Sequence, residues 1–355
     1  MTQESGERMR TAIIGTGGIA RVHAAALQEL GHTIALVVGH SAASAALFSK
    51  EVGCIRSSDH LSGDLLADVD CVHICVPPEN HAEFLETCLC AGKHVLCEKP
   101  LSLSAEEASG LANLAEKCGV VAAVNFNNRF YPACGRVRNA AVEMGRIVLV
   151  QGHYRQEFHI LPARYSWRYR EKLRATTEIG SHFIDLMRYL TGLEIEAVSA
   201  AFLNATPERH LRDGMMYPDG GGTSVNVTSE DAAAVTFRLS GGALASAVFS
   251  EISPGRSNDL TIEISSPEKS VSWCSEQPYE TVSGKPGGLA RQCDAFNGGF
   301  SDTFRDGFRA FYQSVETGIL DPRLATFRDG AVNAAVCAAI AKSARSGGEF
   351  TEVHG

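Results

Sequence analysis

Residues 10–125 alternate short, unbroken apolar runs with stretches whose apolar residues recur at helical spacing. Strands are expected at Arg10–Ile14, Thr33–Val38, Cys71–Val76, Lys93–Cys97 and Val120–Asn125. Helices are expected at Ile19–Leu30, Ala42–Val52, His81–Ala91 and Ala105–Cys118, the last opened by a Ser104/Glu107 capping box. Unbroken apolar strands are those covered by helices on both faces. The rhythm predicts an α/β fold, a doubly wound parallel sheet of the Rossmann type.

After Asn125 the pattern changes. The polar, aromatic, proline-ended segment Asn125–Pro132 reads as a domain junction. Strands are expected at Ile147–Tyr154, Glu196–Leu203, Ala232–Leu239, Ala243–Ser253, Leu260–Ile264 and Ser270–Trp273, with a hairpin signal at Gly241-Gly242. Consecutive strands predict an α+β second domain with an antiparallel sheet. Asn204–Glu230 and Glu276–Phe300 read as long connections, followed by helices near Ser301–Val315 and Arg328–Ser343. The expected organisation is a disordered tail at 1–9, a dinucleotide domain at 10–125 and a substrate and oligomerisation domain at 126–355. A C-terminal helix could pack back on the first domain.

Composition narrows the class. A chain of 355 residues with 45% hydrophobic and 21% charged positions is that of an ordinary two-domain globular protein. The net charge of −9 lacks the basic footprint of a nucleic-acid binder. The longest nearly uncharged apolar run, Ala331–Ala341, is too short to cross a bilayer, and Met1–Met9 has no apolar core to act as a signal peptide. The 11 cysteines are odd in number and form no CxxC pair, so neither a disulfide framework nor a zinc site is expected. They read as buried thiols of a reducing cytoplasm. The histidines outside the motifs below, His23 and His73 among them, show no metal-ligand spacing.

Candidate chemistry begins at Gly15-Thr16-Gly17-Gly18-Ile19-Ala20, which fits G-x-G-x-x-[GA] between a strand and a helix. Such a loop lets backbone N–H groups approach a pyrophosphate at a helix N-terminus. An acid about 20 residues on would bind the ribose 2′-hydroxyl of NAD. Here the second strand ends Gly39-His40-Ser41, with no acid. A 2′-phosphate would not be repelled, so NADP is expected to be accepted and slightly favoured over NAD. Ser41 is equally suited to cap the next helix.

Three further segments carry a family resemblance: Val76-Pro77-Pro78-Glu79-Asn80-His81, Cys97-Glu98-Lys99-Pro100, and Glu178-Ile179-Gly180-Ser181-His182-Phe183-Ile184-Asp185. With the glycine loop they resemble the Gfo/Idh/MocA oxidoreductases, over nearly the whole chain. The resemblance implies a Rossmann domain followed by an open, mainly antiparallel α/β domain, a nicotinamide cofactor, a sugar or cyclitol substrate, and a homo-oligomer, dimer or tetramer. It implies Lys99 and His182 as catalytic residues, Glu178 in place of the usual aspartate, and Trp167-Arg168 and Asn127 near the cofactor. Val76, Pro77, Asn80, His81 and Glu98 are expected to line the cofactor. Lys99, His182 and Asp185 are expected on the substrate, with the active site between the two halves. Leu173–Thr177 replaces a stretch that is Gly-rich in the family.

These residue types suit hydride chemistry. Oxidising an alcohol leaves a proton for a base such as an imidazole, and developing alkoxide charge for an ammonium. Glu178 and His182 stand at i, i+4, and His182 and Asp185 at i, i+3, so a helix starting after Thr177 would put each pair on one face. Two other functions share the pattern: a cofactor-binding sensor without turnover, and a redox-neutral sugar conversion on tightly bound nicotinamide.

Overall fold

The computed structural model describes residues 8–170, 172–293 and 299–354. Its helices run, in chain order, α1 (Gly18–Glu29), α2 (Ala42–Glu51), α3 (His81–Cys90), α4 (Ala105–Cys118), α5 (Pro132–Glu143), α6 (Ser181–Thr191), α7 (Phe300–Thr317) and α8 (Phe327–Arg345). The chain divides into two compact units. The first holds the described residues through Phe130 and those from 299 to 334. The second holds those from Tyr131 to 293 and from Ala335 onward.

In the first unit, β1 (Arg10–Ile14), β2 (Thr33–Val38), β3 (Ser57–Ser58), β4 (Cys71–Ile74), β5 (His94–Cys97) and β6 (Ala122–Val124) are parallel in the order β6-β5-β4-β1-β2-β3. The doubly wound expectation holds. Successive strand residues serve opposite layers, as the pleat requires. Ala12 and Ile14 pack with Leu85, Leu89 and Leu111, while Ile13 packs with Ala24, Leu27 and Val37.

The second layer also takes Phe304, Phe308, Phe311 and Tyr312 of α7. These recur at helical spacing and bury one aromatic stripe. A two-residue strand, Ala325–Thr326, adds antiparallel to β6. The chain returns at α7 to complete the first unit, and the division between the units falls within α8. Hydrophobic spacing announced the helix, but nothing local said which core would receive it.

The second unit is built on a nine-stranded sheet. Its strands are β7 (Leu149–Arg155), β8 (Ile195–Leu203), β9 (Ala232–Leu239), β10 (Leu244–Ser250), β11 (Asp259–Ser265), β12 (Ser270–Cys274), β13 (Glu280–Lys285), β14 (Gly288–Cys293) and β15 (Thr351–Glu352). The order is β14-β13-β12-β11-β7-β10-β9-β8-β15, antiparallel except where β7 meets β10. On β9, Ala233, Val235 and Phe237 are buried while Ala234, Thr236 and Arg238 are exposed. One face therefore lies in the core and the other is open. Gly241 and Gly242, at φ 72° and 78°, turn β9 into β10 as the hairpin signal required.

Both long connections turn out to contain strands. Glu208–Arg212, Met215–Tyr217 and Thr223–Asn226 join Ala163–Arg164 in a four-stranded sheet, and β13 with β14 forms a hairpin. Glu208–Arg212 is polar and half-exposed and β14 entirely exposed, so no apolar alternation marks them, and the apolar Met215–Tyr217 is only three residues long. The capping box at α4 is half made: Ser104 Oγ accepts the Glu107 N–H at 3.3 Å, but the Glu107 carboxylate turns to Ser102. Residues 1–7 of the expected disordered tail lie outside the described residues. Met9 is already tied in, its carbonyl accepting the Thr33 N–H at 3.0 Å. No helix among the described residues is long and apolar enough to cross a membrane.

Candidate active site

The glycine loop follows β1. Gly15 adopts φ +117°, a conformation side chains avoid, and a Cβ there would overlap the Cys75 carbonyl. Its N–H donates to the Val38 carbonyl at 2.8 Å. Gly17 caps α1, and a side chain at Gly17 or Gly18 would enter open space. That cradle, with the unpaired N–H groups of the first turn from Gly18 through Ala20, fits a dinucleotide pyrophosphate. Ala20 itself is buried and Ile19 half-buried. Arg21 reaches back to the carbonyls of Thr16 and Gly17 at 3.0 and 3.2 Å and pairs with Glu51.

At the end of β2, Gly39 is there for packing: a Cβ would sit 2.8 Å from Ser44 Oγ and 2.9 Å from Ala45 N. Ser41 serves α2, its Oγ accepting the Ser44 N–H at 3.2 Å in a reciprocal cap. His40 is exposed, with Nδ1 3.1 Å from Ser44 Oγ.

Past β4, Val76 and Pro77 are half-buried and Asn80 is exposed. His81 is corrected from cofactor contact to an internal tie. It is fully buried, with Nε2 3.0 Å from the Val76 carbonyl. Burial pushes its pKa down despite that contact, so it carries one ring proton. Nδ1 in turn lies 3.2 Å from the Leu101 carbonyl and 3.4 Å from the Cys97 thiol, so both ring nitrogens are engaged inside the fold. Asn127 is likewise turned inward, 3% exposed, its Nδ2 donating to Thr303 Oγ1 at 2.8 Å.

Lys99 follows β5 and its peptide bond to Pro100 is cis. It is half-buried, whereas Glu98 is buried. Glu98 Oε1 accepts from Asn125 Nδ2 at 2.6 Å and meets His23 Nε2 at 2.8 Å; Oε2 accepts the Lys99 N–H at 3.3 Å. Burial alone would raise this carboxyl, but the hydrogen bond and attraction of His23, the Asn125 hydrogen bond and the Lys99 charge outweigh it and hold it below the usual range. Glu98, expected on the cofactor, thus serves the interior. The glycine loop ends β1 and Lys99 ends β5, with β4 between them. Both stand at the sheet's carboxyl edge, where ligands bind in such folds.

In the second unit, Glu178 and His182 do not share a regular helix. Thr176–Gly180 forms a π-helical turn, and α6 starts at Ser181. The i, i+4 expectation is corrected to a wider turn, a feature common at functional sites. Gly180 lets it lie on β10, since a Cβ would come 2.7 Å from the Phe249 ring. Glu178 Oε2 accepts from Arg168 Nε at 2.7 Å. His182 is half-buried, its ring 6.0 Å from that of Tyr154. Asp185 is 2% exposed, which places it within the packing of α6 rather than at a substrate surface. The Trp167 side chain lies outside the described residues.

The segment that replaces the Gly-rich stretch is pinned by charges. Arg174 is 1% exposed, pairs with Asp231, and lies 2.9 Å from Glu251 Oε2 through Nε. The Glu230 carboxylate accepts the N–H groups of Arg174 and Thr176 at 3.0 and 2.8 Å. Sequence reasoning missed this anchor. Its only signal was the acidic pair Glu230-Asp231 at the start of a strand. Glu178 and Arg168 line an open cavity of about 290 Å³ with Phe158, His159, Arg164 and Tyr169. A larger one, about 510 Å³, touches His94 and Ala122, the first residues of β5 and β6. It is therefore at the sheet's amino edge, away from the glycine loop. No group of three or more His, Cys, Asp or Glu that could hold a metal occurs among the described residues.

Residues 9–126 match the oxidoreductase family with an NAD-binding Rossmann fold, and residues 138–272 match the GFO/IDH/MocA C-terminal domain. Levoglucosan dehydrogenase of Pseudarthrobacter phenanthrenivorans is 33% identical over 215 residues, 58% of this chain and 55% of that protein. Inositol 2-dehydrogenase of Rhizobium meliloti is 31% identical over 196 residues, 54% of this chain and 58% of that protein. The matched stretches span little more than half the length of these curated relatives. A solved structure of levoglucosan dehydrogenase in complex with NADH and L-sorbose is similar at a TM-score of 0.90 and 25% identity, over 98% of this chain and 99% of that one. Matches in both units, on a parallel sheet and a mainly antiparallel one, establish that the chain belongs to the Gfo/Idh/MocA oxidoreductase family.

Proposed function

We propose that this chain is an NAD(P)-dependent dehydrogenase interconverting a secondary alcohol and a ketone on a sugar, sugar derivative or cyclitol. The observation that carries this reading is Lys99 on the same carboxyl edge as the open glycine cradle, one strand removed. The named activities of the curated relatives support the substrate class.

Backbone amides of the first turn of α1 would hold the pyrophosphate, and Val76, Pro77 and Asn80 would contribute to the dinucleotide site. Bound nicotinamide supplies the hydride acceptor. The Lys99 ammonium opposes the negative charge that develops on the alcohol oxygen. His182 takes the hydroxyl proton, and Glu178, fixed by Arg168, stabilises the resulting imidazolium. The acid-free end of β2, with exposed His40, accommodates a 2′-phosphate and supports NADP(H) use alongside NAD(H).

The test is nicotinamide reduction with levoglucosan, myo-inositol and glucose. Lys99→Ala and His182→Ala are each expected to cut kcat by about 100-fold or more. Dinucleotide affinity should hold within about threefold. Full turnover in both variants would remove the mechanism. NADH binding as tightly as NADPH, or more tightly, in a fluorescence titration would remove the NADP preference.

A further inference from the structure

The first unit contains a row of buried polar side chains that this chemistry does not use. Thr11 on β1, His73 on β4 and His23 on α1 are 0% exposed, and Tyr312 on α7 is 2% exposed. Thr11 Oγ1 lies 2.7 Å from Tyr312 Oη, which lies 3.0 Å from His73 Nε2. His73 Nδ1 lies 2.9 Å from His23 Nδ1, and His23 Nε2 lies 2.8 Å from Glu98 Oε1. Phenylalanines sheathe the row. Phe304 and Phe308 meet the His23 ring at 5.8 and 4.8 Å, and Phe308 and Phe311 meet the His73 ring at 4.7 and 6.2 Å. A donor left unmatched in such surroundings costs about 1–3 kcal/mol.

Donor arithmetic gives the row a direction. Burial pushes His73 well below the ordinary histidine range, so it carries one ring proton. Two arrangements are then open. In the first, Thr11 donates to Tyr312, Tyr312 to His73 Nε2, His73 Nδ1–H to His23 Nδ1, and His23 Nε2–H to Glu98. Every donor has an acceptor. In the second, His23 holds two ring protons and the other bonds reverse. The Thr11 hydroxyl, fully buried, then has no other acceptor among the described residues. The first arrangement satisfies the row completely.

We propose that Thr11, Tyr312, His73 and His23 form one directed hydrogen-bond relay that ends on Glu98 and positions Lys99 for catalysis. The relay and Asn125 fill Glu98 Oε1, which fixes the carboxylate and leaves Oε2 to hold the Lys99 N–H. His23 and His73 are positioning residues: they act through Glu98 and do not touch the substrate. The inference rests on Lys99 being the active-site lysine.

Imidazole-labelled NMR of the full chain tests the relay without any substrate. His73 should carry its proton on Nδ1, the minor tautomer of free histidine, and His23 on Nε2. A His73 proton on Nε2, or a doubly protonated His23 at neutral pH, overturns the direction. Turnover with whichever of the three compounds reacts tests the positioning. His23→Leu removes the donor to a charged acceptor and should lower kcat by about 10- to 100-fold, with KM for the dinucleotide unchanged. His23→Gln, whose Nε2 can still donate, should recover most of the loss. Tyr312→Phe keeps the volume, and hence the fold, and should lower kcat by a smaller factor. Folded His23→Leu and Tyr312→Phe proteins with unaltered kcat would overturn the positioning role. Should Lys99→Ala keep full turnover, the site reading fails, while the tautomer spectrum still judges the relay.

Discussion

Each unit buries a polar assembly, and the two are built on opposite principles. In the first unit the row from Thr11 to Glu98 has a single carboxylate and, in the proposed relay, otherwise neutral groups, each satisfied by the next. In the second, Arg174 and Arg209, each 1% exposed, share Asp231 Oδ1, while Asp231 Oδ2 accepts the N–H groups of Ala205 and Thr206 at 2.8 and 3.0 Å. Glu251 Oε2 stands 2.9 Å from Arg174 Nε and 3.1 Å from His159 Nε2. A neutral chain loses only hydrogen bonds when broken. An ion network exposes an uncompensated buried charge. The chain is the cheaper way to fix one carboxylate, and the network the stiffer way to pin a backbone segment such as Leu173–Thr177.

The contrast breaks most sharply at Asp231. Asp231→Ala leaves two buried guanidiniums without their shared carboxylate and should cost about 3–5 kcal/mol in urea unfolding. A loss below about 1 kcal/mol would mean that the network does not anchor the segment.

The next effect is in pH. Burial, with Glu178 and Glu230 nearby, raises the Glu251 carboxyl from 4.5 to about 8, whereas burial and the adjoining arginines lower His159 from 6.5 to about 2. Between 4.5 and 8 the native Glu251 keeps a proton the unfolded chain has lost, so stability falls as pH rises. Between 2 and 6.5 the unfolded chain holds a proton on His159 that the native state lacks, so stability falls as pH drops. The slopes oppose between 4.5 and 6.5; below 4.5 only the His159 slope remains, and above 6.5 only the Glu251 slope, up to about 8. Glu251→Gln should flatten that upper window in denaturation curves taken across pH. An unchanged slope would place the proton elsewhere.

The neutral chain should respond more weakly. Tyr312→Phe strands the Thr11 hydroxyl and the His73 acceptor and should cost about 1–2 kcal/mol in thermal or urea unfolding. A cost as large as at Asp231 would erase the distinction between the two assemblies. The smallest effect belongs to an exposed pair. Arg21 and Glu51, with side chains 45% and 44% exposed, are screened by water, so Glu51→Gln should change stability by less than about 1 kcal/mol.

Legibility followed the physics of each segment. Thr33–Val38, Ala105–Cys118 and Ala232–Leu239 were readable to the residue, because an apolar run or one apolar face ended at a cap or turn. Glu208–Arg212 and Gly288–Cys293 show no apolar alternation, since the first buries a charged Arg209 and the second is exposed throughout and held by pairing. Among candidate site residues, the placements of Gly15 and Lys99 were legible because they are set locally: a forced φ, and a strand end before a proline. His81, Asn127 and Asp185 have polar side chains that suit a ligand as well as an internal partner. Only Val76, Thr303 and the packing of α6 chose the partner.

By itself the sequence determined the parallel first sheet, the glycine cradle and the switch to antiparallel strands beyond Asn125. Each follows from periodicity or from a backbone conformation that few residues allow. Tertiary structure alone decided that α7 would return to the first unit, because an aromatic stripe names no destination. It alone brought Thr11, His23, His73, Glu98 and Tyr312, which lie up to 301 positions apart in the chain, into one hydrogen-bonded row. A buried polar group must find a partner wherever the fold provides one, and sequence separation carries no record of that choice.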